Sequence, residues 1–166
     1  ITCNAAISAC ERGGAWEMSL VLLDAMAEAN VQRDAITFSA AISACEQSGE
    51  WAAALGLVDI MESGIVALDT VAYSTAVSAC AKGHEWRKAF ALLDAMEHAH
   101  VQMNTVTYNA AICAHGRGRE CEKALSLLDA MEERRVEKDV ITHKAAMLAC
   151  ERSGACTRQV RLLRAV

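Results

Sequence analysis

The stretch ITFSAAISACEQSGEW, residues 36–51, decides the fold because near-copies of it return along the chain at a fixed interval. The copies begin 35 residues apart, at Ile1, Ile36, Val71, Val106 and Ile141. The second half of each unit also repeats, as SLVLLDAM, ALGLVDIM, AFALLDAM and ALSLLDAM, and these copies end on Met26, Met61, Met96 and Met131. A fixed period of about 20 to 50 residues is the signature of a repeat architecture. The chain is therefore predicted to be a tandem array.

The period divides the 166 residues into five units of one array. We number each unit so that Ile36 and its equivalents take position 2 and the last residue takes position 35. Unit 1 then lacks its first position and unit 5 is truncated, which predicts a segment of a longer protein. The units are 1–34, 35–69, 70–104, 105–139 and 140–166.

Each unit is predicted to form two helices. In its first half, apolar residues such as Ala41, Ile42 and Cys45, matched by Ala6, Ile7 and Cys10, have the spacing of a short amphipathic helix. The second half carries an apolar stripe, as in Trp86, Phe90, Leu93 and Met96. Glycines between the halves predict a turn, at Gly13, Gly49, Gly83, Gly118 and Gly154. The predicted fold class is all-α: an α-solenoid, a right-handed superhelix of tandem 35-residue helix-turn-helix repeats.

Two polar positions vary between units and are candidates for function. Position 5 reads Asn4, Ser39, Ser74, Asn109 and Lys144. Position 35 reads Asp34, Asp69, Asn104 and Asp139. Polar residues on the first helix and on the loop leading to the next unit should line one concave face. The alternative is that these residues cap helix N-termini.

The net charge of −5 argues against a nucleic-acid binder, but the charge is unevenly placed. Positions 1–15 of the units carry six basic and three acidic residues, and the rest of the chain carries ten basic and eighteen acidic. Position 13 is basic in every unit except unit 2, where it is Gln47. The cations at position 13 are Arg12, Lys82, Arg117 and Arg152. A row spaced by one repeat predicts phosphate contacts; the alternative is a cation at a helix C-terminus.

Other reactive residue types are predicted to be structural. Cys10, Cys45, Cys80 and Cys150 share one core position in different units, and Cys3, Cys113, Cys121 and Cys156 form no CxxC motif. His84, His98, His100, His115 and His143 form no metal-binding motif with the cysteines. Trp16, Trp51 and Trp86 recur at one second-helix position and are predicted to pack in the core; Asp24, Asp59, Asp94 and Asp129 are predicted to face solvent. We expect no catalytic residue, no metal, no cofactor, no small-molecule substrate and no membrane-spanning segment.

The chain resembles the pentatricopeptide repeat family, in its pure 35-residue subclass. The resemblance rests on VTYN at 106–109, on the helix ALSLLDAM at 124–131, and on the aspartates that close units at Asp34, Asp69 and Asp139. The tetratricopeptide repeat has a 34-residue period and a proline landmark, whereas this chain keeps 35 and has no proline. The proline common before the closing residue in the resembled family is replaced by Arg33, Leu68, Met103 and Lys138.

The resemblance implies that each unit reads one base of single-stranded RNA through positions 5 and 35. The aliphatic residues at position 2 would sandwich the bases; these are Ile1, Ile36, Val71, Val106 and Ile141. Asp at position 35 accepts from the ring N–H of uracil or guanine, and Asn donates to adenine or cytosine. Ser at position 5 leaves room for a purine, whereas the longer Asn favours a pyrimidine. The implied target is 5′-UGAU-3′, with no base assigned to Lys144.

The resemblance further implies a non-enzymatic protein of the mitochondrion or chloroplast that acts in RNA processing, stability or translation. Two other functions fit the same repeats. A protein-interaction scaffold would explain the acidic total, and a targeting module would belong to an enzyme whose catalytic domain lies outside these residues. Protein partners or self-association through exposed terminal repeats are compatible with each of these functions.

Overall fold

The computed structural model describes residues 2–153, and in that range the protein is all-α, as predicted. Each complete unit contributes two helices and the last described unit contributes one. The helices are α1 (Thr2–Gly13), α2 (Trp16–Glu28), α3 (Ala35–Ser48), α4 (Trp51–Ile60), α5 (Thr70–Lys82), α6 (Trp86–His98), α7 (Thr105–Arg117), α8 (Cys121–Glu133) and α9 (Val140–Ser153). Arg152 is the last predicted site residue within this range, and Ile1, Gly154 and Cys156 lie outside it.

The helices form two layers. The first helices of successive units pack on each other in the order α1, α3, α5, α7 and α9. Each second helix packs on the first helix of its own unit and on that of the next unit. This nearest-neighbour stacking defines an α-solenoid. One row of first helices therefore forms a continuous surface along the array.

Small residues allow the first helices to approach closely. Alanine occupies position 7 in units 2 to 5 and is fully buried there, at Ala41, Ala76, Ala111 and Ala146. α7 and α9 approach closely, since a Cβ on Gly116 would lie 2.7 Å from Ala149 Cβ and 2.8 Å from Ala149 Cα. The recurring methionines of the second helices are buried, and the three tryptophans pack against the core, as predicted.

The turn between the two helices needs one left-handed residue, and that residue stands at position 15. It is Gly49 in unit 2, with φ of 78°, and Gly14 in unit 1. In units 3 and 4 it is His84 and Arg119. Gly83 and Gly118 lie in the turn, as predicted, but they are not its left-handed residues, because φ is −71° at Gly83 and −73° at Gly118.

Residue 83 must be glycine because a side chain there would not fit. A Cβ at this residue would collide with Cδ1 of Trp51 and lie 2.7 Å from its Cγ. The indole of unit 2 therefore packs against the turn of unit 3. Gly118 is the equivalent residue in unit 4. A Cβ added there would lie 3.4 Å from Cε3 of Trp86.

Unit 2 ends differently from its neighbours. In units 1, 3 and 4 the second helix ends before a left-handed residue, which is Asn30, His100 or Arg135. The equivalent residue in unit 2 is Ile65. The chain instead continues from α4 into a π-helical turn, Met61–Ile65.

Two cysteines that occupy different repeat positions meet in the core. Cys121 begins α8 at the position held by tryptophan in units 1 to 3, and Cys150 belongs to α9. Their sulfur atoms lie 2.8 Å apart, and both are buried free thiols. Burial raises the pKa of Cys150 to about 12. In residues 2–153, no group of histidine, cysteine and acidic side chains is arranged to hold a metal ion.

The predicted polar surface is present on the second helices. Asp24, Asp59, Asp94 and Asp129 are exposed, as are His98 and His100. No helix in the described part of the chain is long and apolar enough to cross a membrane.

Candidate nucleic-acid interface

Large aliphatic side chains stand exposed at position 2 of successive first helices. The exposed fractions are 67% for Ile36, 53% for Val71, 55% for Val106 and 62% for Ile141. Exposing one such side chain is ordinary, but a row spaced by one repeat is a patterned apolar surface of the kind that marks an interaction site. The predicted sandwiching role requires such exposure and stays a prediction.

Pockets lie between successive position-2 residues. The unit-2 pocket, of about 320 Å³, is flanked by Ile36 and Val71 and includes Ser39 and Asp69 in its wall. The unit-4 pocket, of about 400 Å³, is flanked by Val106 and Ile141. Asn109 and Asp139 line this second pocket. Each pocket therefore combines two aliphatic flanks with one predicted base-reading pair.

The paired polar residues lie within reach of each other although 30 residues separate them. In unit 4, Asn109 Nδ2 is 3.1 Å from Asp139 Oδ1 and 3.3 Å from its Oδ2. In unit 1, Asn4 Nδ2 is 3.4 Å from both carboxylate oxygens of Asp34. In units 1 and 4, the side chains at positions 5 and 35 are therefore in contact and form one polar group.

The position-35 residues also cap the next unit's first helix, so the capping alternative is correct for them. Asp34 Oδ1 accepts from Thr37 N at 2.8 Å, and Asp139 Oδ1 accepts from Thr142 N at 2.7 Å. Asp69 and Asn104 make the same contact. These capping bonds hold each position-35 side chain in one orientation.

Capping also keeps two of these carboxyl groups ionised. Hydrogen bonds from the side chain and backbone of Thr37 lower the pKa of Asp34, and those from the backbone and side chain of Thr142 lower the pKa of Asp139. An ionised carboxylate accepts hydrogen bonds and donates none. At neutral pH these groups can therefore accept a hydrogen bond from an N–H or O–H but cannot donate one.

A threonine at position 3, which the sequence prediction missed, joins the two polar positions. Thr142 Oγ1 lies 2.6 Å from Asn109 Oδ1 and 2.8 Å from Asp139 Oδ1. Thr37 contacts Asn4 and Asp34 in the same way. The Thr142 hydroxyl contacts the amide oxygen of Asn109. This contact turns Nδ2 of Asn109 toward the Asp139 carboxylate and the pocket. The available signal was the recurrence of threonine three residues after a capping residue.

We expect Thr142→Val to lower stability and loosen the Asn109 amide. Valine keeps the shape but cannot donate, so the loss is about 0.5–1.5 kcal/mol for the hydrogen bond. The measurement is the urea midpoint of unfolding. Thr105→Val is the control, because its hydroxyl makes a 3.3 Å contact to Glu137 O at an exposed site. Equal midpoints for the two variants would contradict the role assigned to Thr142.

The serines at position 5 differ from the asparagines. Ser74 donates to Val71 O at 3.0 Å within its own helix. Ser39 Oγ is buried, and within residues 2–153 it has no hydrogen-bond partner. A buried hydroxyl without a partner costs free energy. Ser39 lines the unit-2 pocket.

The four predicted phosphate-contacting cations have different surroundings. Arg12 and Arg152 are exposed at the ends of α1 and α9. Lys82 pairs with Glu46 at 2.6 Å. The Arg117 guanidinium donates to Ala81 O and to Lys82 O, and so caps the C-terminus of the preceding unit's first helix. Lys144, at position 5 of unit 5, is exposed.

The two-layered stack and its repeated polar pairs define a helical-repeat protein. The model described as the PPR repeat matches residues 1–31, 36–64 and 106–136. The model of the PPR repeat family matches residues 68–117. The chain belongs to the pentatricopeptide repeat family. No curated protein matches it.

Solved structures of the same fold include proteins of maize and Arabidopsis. The maize pentatricopeptide repeat protein PPR10 is 26% identical over 99% of this chain, with a TM-score of 0.72. PPR10 in complex with an 18-nt psaJ RNA element is 25% identical over 99% of the chain, with a TM-score of 0.78. This chain spans 23% and 24% of the length of those two.

The PPR domain of Arabidopsis thaliana protein-only RNase P 1, solved in complex with tRNA, shares the fold at 15% identity. Its TM-score is 0.75, and the match covers 96% of this chain and 88% of that one.

Proposed function

We propose that this chain binds single-stranded RNA along the row of first helices, one base per unit. The observation that carries the proposal is the unit-4 pocket, where two exposed aliphatic side chains flank a capped polar pair. The family membership and the structure of PPR10 with an RNA element support the ligand class. Stacking contributes on the order of 1–3 kcal/mol per base before ordering costs.

The chemistry of the unit-4 pair favours uracil. The ionised Asp139 accepts from the ring N–H, and one N–H of Asn109 is left to donate to a carbonyl oxygen of the base. The Asn4 and Asp34 pair offers the same pattern in unit 1. Cytosine has no ring N–H at this edge in its neutral form, so it would leave the carboxylate unmatched.

The two remaining units favour purines. In unit 2, Ser39 is shorter than asparagine and leaves room for a purine. Asp69 would accept a hydrogen bond from the ring N–H of guanine. In unit 3, Ser74 is paired with Asn104, whose amide nitrogen donates to the ring nitrogen of adenine. The proposed target is 5′-UGAU-3′, read from the N-terminus to the C-terminus.

The proposed biological role is the stability, processing or translation of an organellar transcript, in a mitochondrion or chloroplast. Sequestering or remodelling a transcript requires only binding. We therefore propose no catalytic role, cofactor or small-molecule substrate for this segment.

The test is fluorescence anisotropy at low salt with two 12-mer RNAs, one centred on UGAU and one with its G and A exchanged. We expect tighter binding of UGAU. Matched affinities for the two RNAs would reject base reading by units 2 and 3. An absence of binding to either RNA at high micromolar protein would favour a protein-interaction scaffold.

A further inference from the structure

Acidic residues on the first helices are confined to one repeat position. All three of them occupy position 12, as Glu11, Glu46 and Glu151, and units 3 and 4 have Ala81 and Gly116 there. Position 12 directly precedes the row of basic residues at position 13. The acids therefore lie beside the predicted phosphate contacts.

Each position-12 glutamate of units 1 and 2 contacts the next unit. Glu46 Oε1 accepts from Ser78 Oγ at 2.8 Å and lies 2.6 Å from Lys82 Nζ. Glu11 Oε1 accepts from Ser43 Oγ at 2.7 Å. Ser43 and Ser78 are equivalent residues, so the contact recurs. The unit after Glu46 supplies a cation at position 13, whereas the unit after Glu11 supplies Gln47.

In units 4 and 5, the position-13 arginines contact groups other than a position-12 glutamate. Arg117 meets position 12 of unit 3, where Ala81 offers only its backbone carbonyl. Arg152 lines a small pocket with Gly116 of the preceding unit. Neither arginine faces a position-12 carboxylate from the preceding unit, because Ala81 and Gly116 occupy that place.

The two base pockets consequently differ in charge although their flanks are alike. Glu11 and Asp69 both line the unit-2 pocket. Lys82, Arg117 and Asp139 line the unit-4 pocket. A phosphate approaching the first pocket meets two carboxylates. One approaching the second pocket meets two cations, of which Lys82 is paired with Glu46, and one carboxylate.

We propose that the position-12 glutamate sets how strongly each part of the groove holds the RNA backbone. Glu46 pairs with Lys82 and weakens the phosphate contact between units 2 and 3, so that the backbone is held mainly by Arg12, Arg117 and Arg152. This inference rests on the proposed RNA-binding function. It assigns Glu46 a specificity role, because weak backbone contacts make binding in units 2 and 3 depend on the bases.

Glu46→Gln is the test. The amide oxygen can still accept from Ser78, while Lys82 is released to neutralise one more phosphate. For single-stranded RNA each added phosphate contact steepens the slope of log K against log salt by about 0.7, which is on the order of a fivefold to tenfold gain in affinity at 50 mM salt. The measurement is anisotropy with the UGAU 12-mer from 50 to 300 mM salt, and with the RNA in which G and A are exchanged.

Two control variants also replace a glutamate with glutamine and so remove one negative charge. Glu132→Gln, in α8, breaks a 2.9 Å pair with Lys138 of the following loop. Glu97→Gln, in α6, breaks a 3.9 Å pair with Arg134, which directly follows α8. We expect the salt slope of both controls to match that of the wild type.

The outcomes separate this inference from the proposed function. A steeper slope for Glu46→Gln alone, with a smaller preference for UGAU over the exchanged RNA, supports the inference. A slope equal to that of the controls overturns it while leaving base reading intact. If the wild type binds neither RNA and Glu46→Gln binds neither, the proposed function fails and the inference fails with it.

Discussion

Gly116→Ala is expected to destabilise the protein although alanine is the better helix former. Gly116 is buried in α7, and a methyl group there would lie 2.8 Å from Cα of Ala149 in α9. Backbone atoms cannot rotate away, so the two helices must separate. Overpacking of this kind costs about 1–3 kcal/mol, and a fall in Tm of about 2–4 °C per kcal/mol follows for a chain of this size.

Gly56→Ala supplies the matched control. Gly56 is an exposed residue inside α4, and a methyl group there meets no atom within 4 Å. Helix propensity predicts a gain of about 0.5–1 kcal/mol for this change. Circular dichroism melts of both variants should therefore move in opposite directions. A Tm for Gly116→Ala at or above that of the wild type would contradict the close packing of α7 on α9.

Asp139→Asn is expected to change the base preferred by unit 4 from uracil to cytosine. The amide can donate to the ring nitrogen of cytosine, whereas the carboxylate only accepts. The cap on α9 should survive, because Asn104 already caps α7 with a 2.9 Å contact to Thr107 N. A matched base-edge pair is worth about 1–3 kcal/mol, or roughly 5- to 150-fold in Kd.

The measurement is competition binding with RNAs that differ only at the fourth base, UGAU and UGAC. Asp129→Asn is the control, because it makes the same charge change at an exposed residue of α8. That control should keep the preference for uracil. An unchanged preference in Asp139→Asn would show that the capped carboxylate does not contact the base.

Most of the fold could be predicted from the period of the sequence. The fixed 35-residue interval, the apolar stripe ending in Met96 and the alanines such as Ala76 were sufficient to predict two helices per unit and continuous stacking. These features repeat in every unit, so each copy supports the same conclusion. The closing residues, such as Asp139, could be located in the same way.

Contacts between particular side chains could not be predicted from the repeat pattern. The sulfur atoms of Cys121 and Cys150 meet because cysteine replaces a tryptophan in unit 4, and their repeat positions differ. Glycine did not mark the left-handed residue of the turn in units 3 and 4, since His84 and Arg119 adopt that conformation there. The role of Thr142 depends on a contact with Asn109, 33 residues away, that only the packed structure reveals.

The electrostatics of the groove were only partly predictable. The row of cations at position 13 was visible in the sequence, but the pairing of Lys82 with Glu46 and the capping role of Arg117 depend on side-chain geometry between units.

The most direct measurement of base reading is the response of unit 3 to Asn104→Asp. Wild-type protein and the variant are each titrated into 12-mer RNAs centred on UGAU and UGGU, with fluorescence anisotropy at low salt. We predict that the wild type binds UGAU more tightly and that the variant binds UGGU more tightly, because the introduced carboxylate would accept from the ring N–H of guanine. The same rank order for both proteins would contradict recognition of one base by one unit.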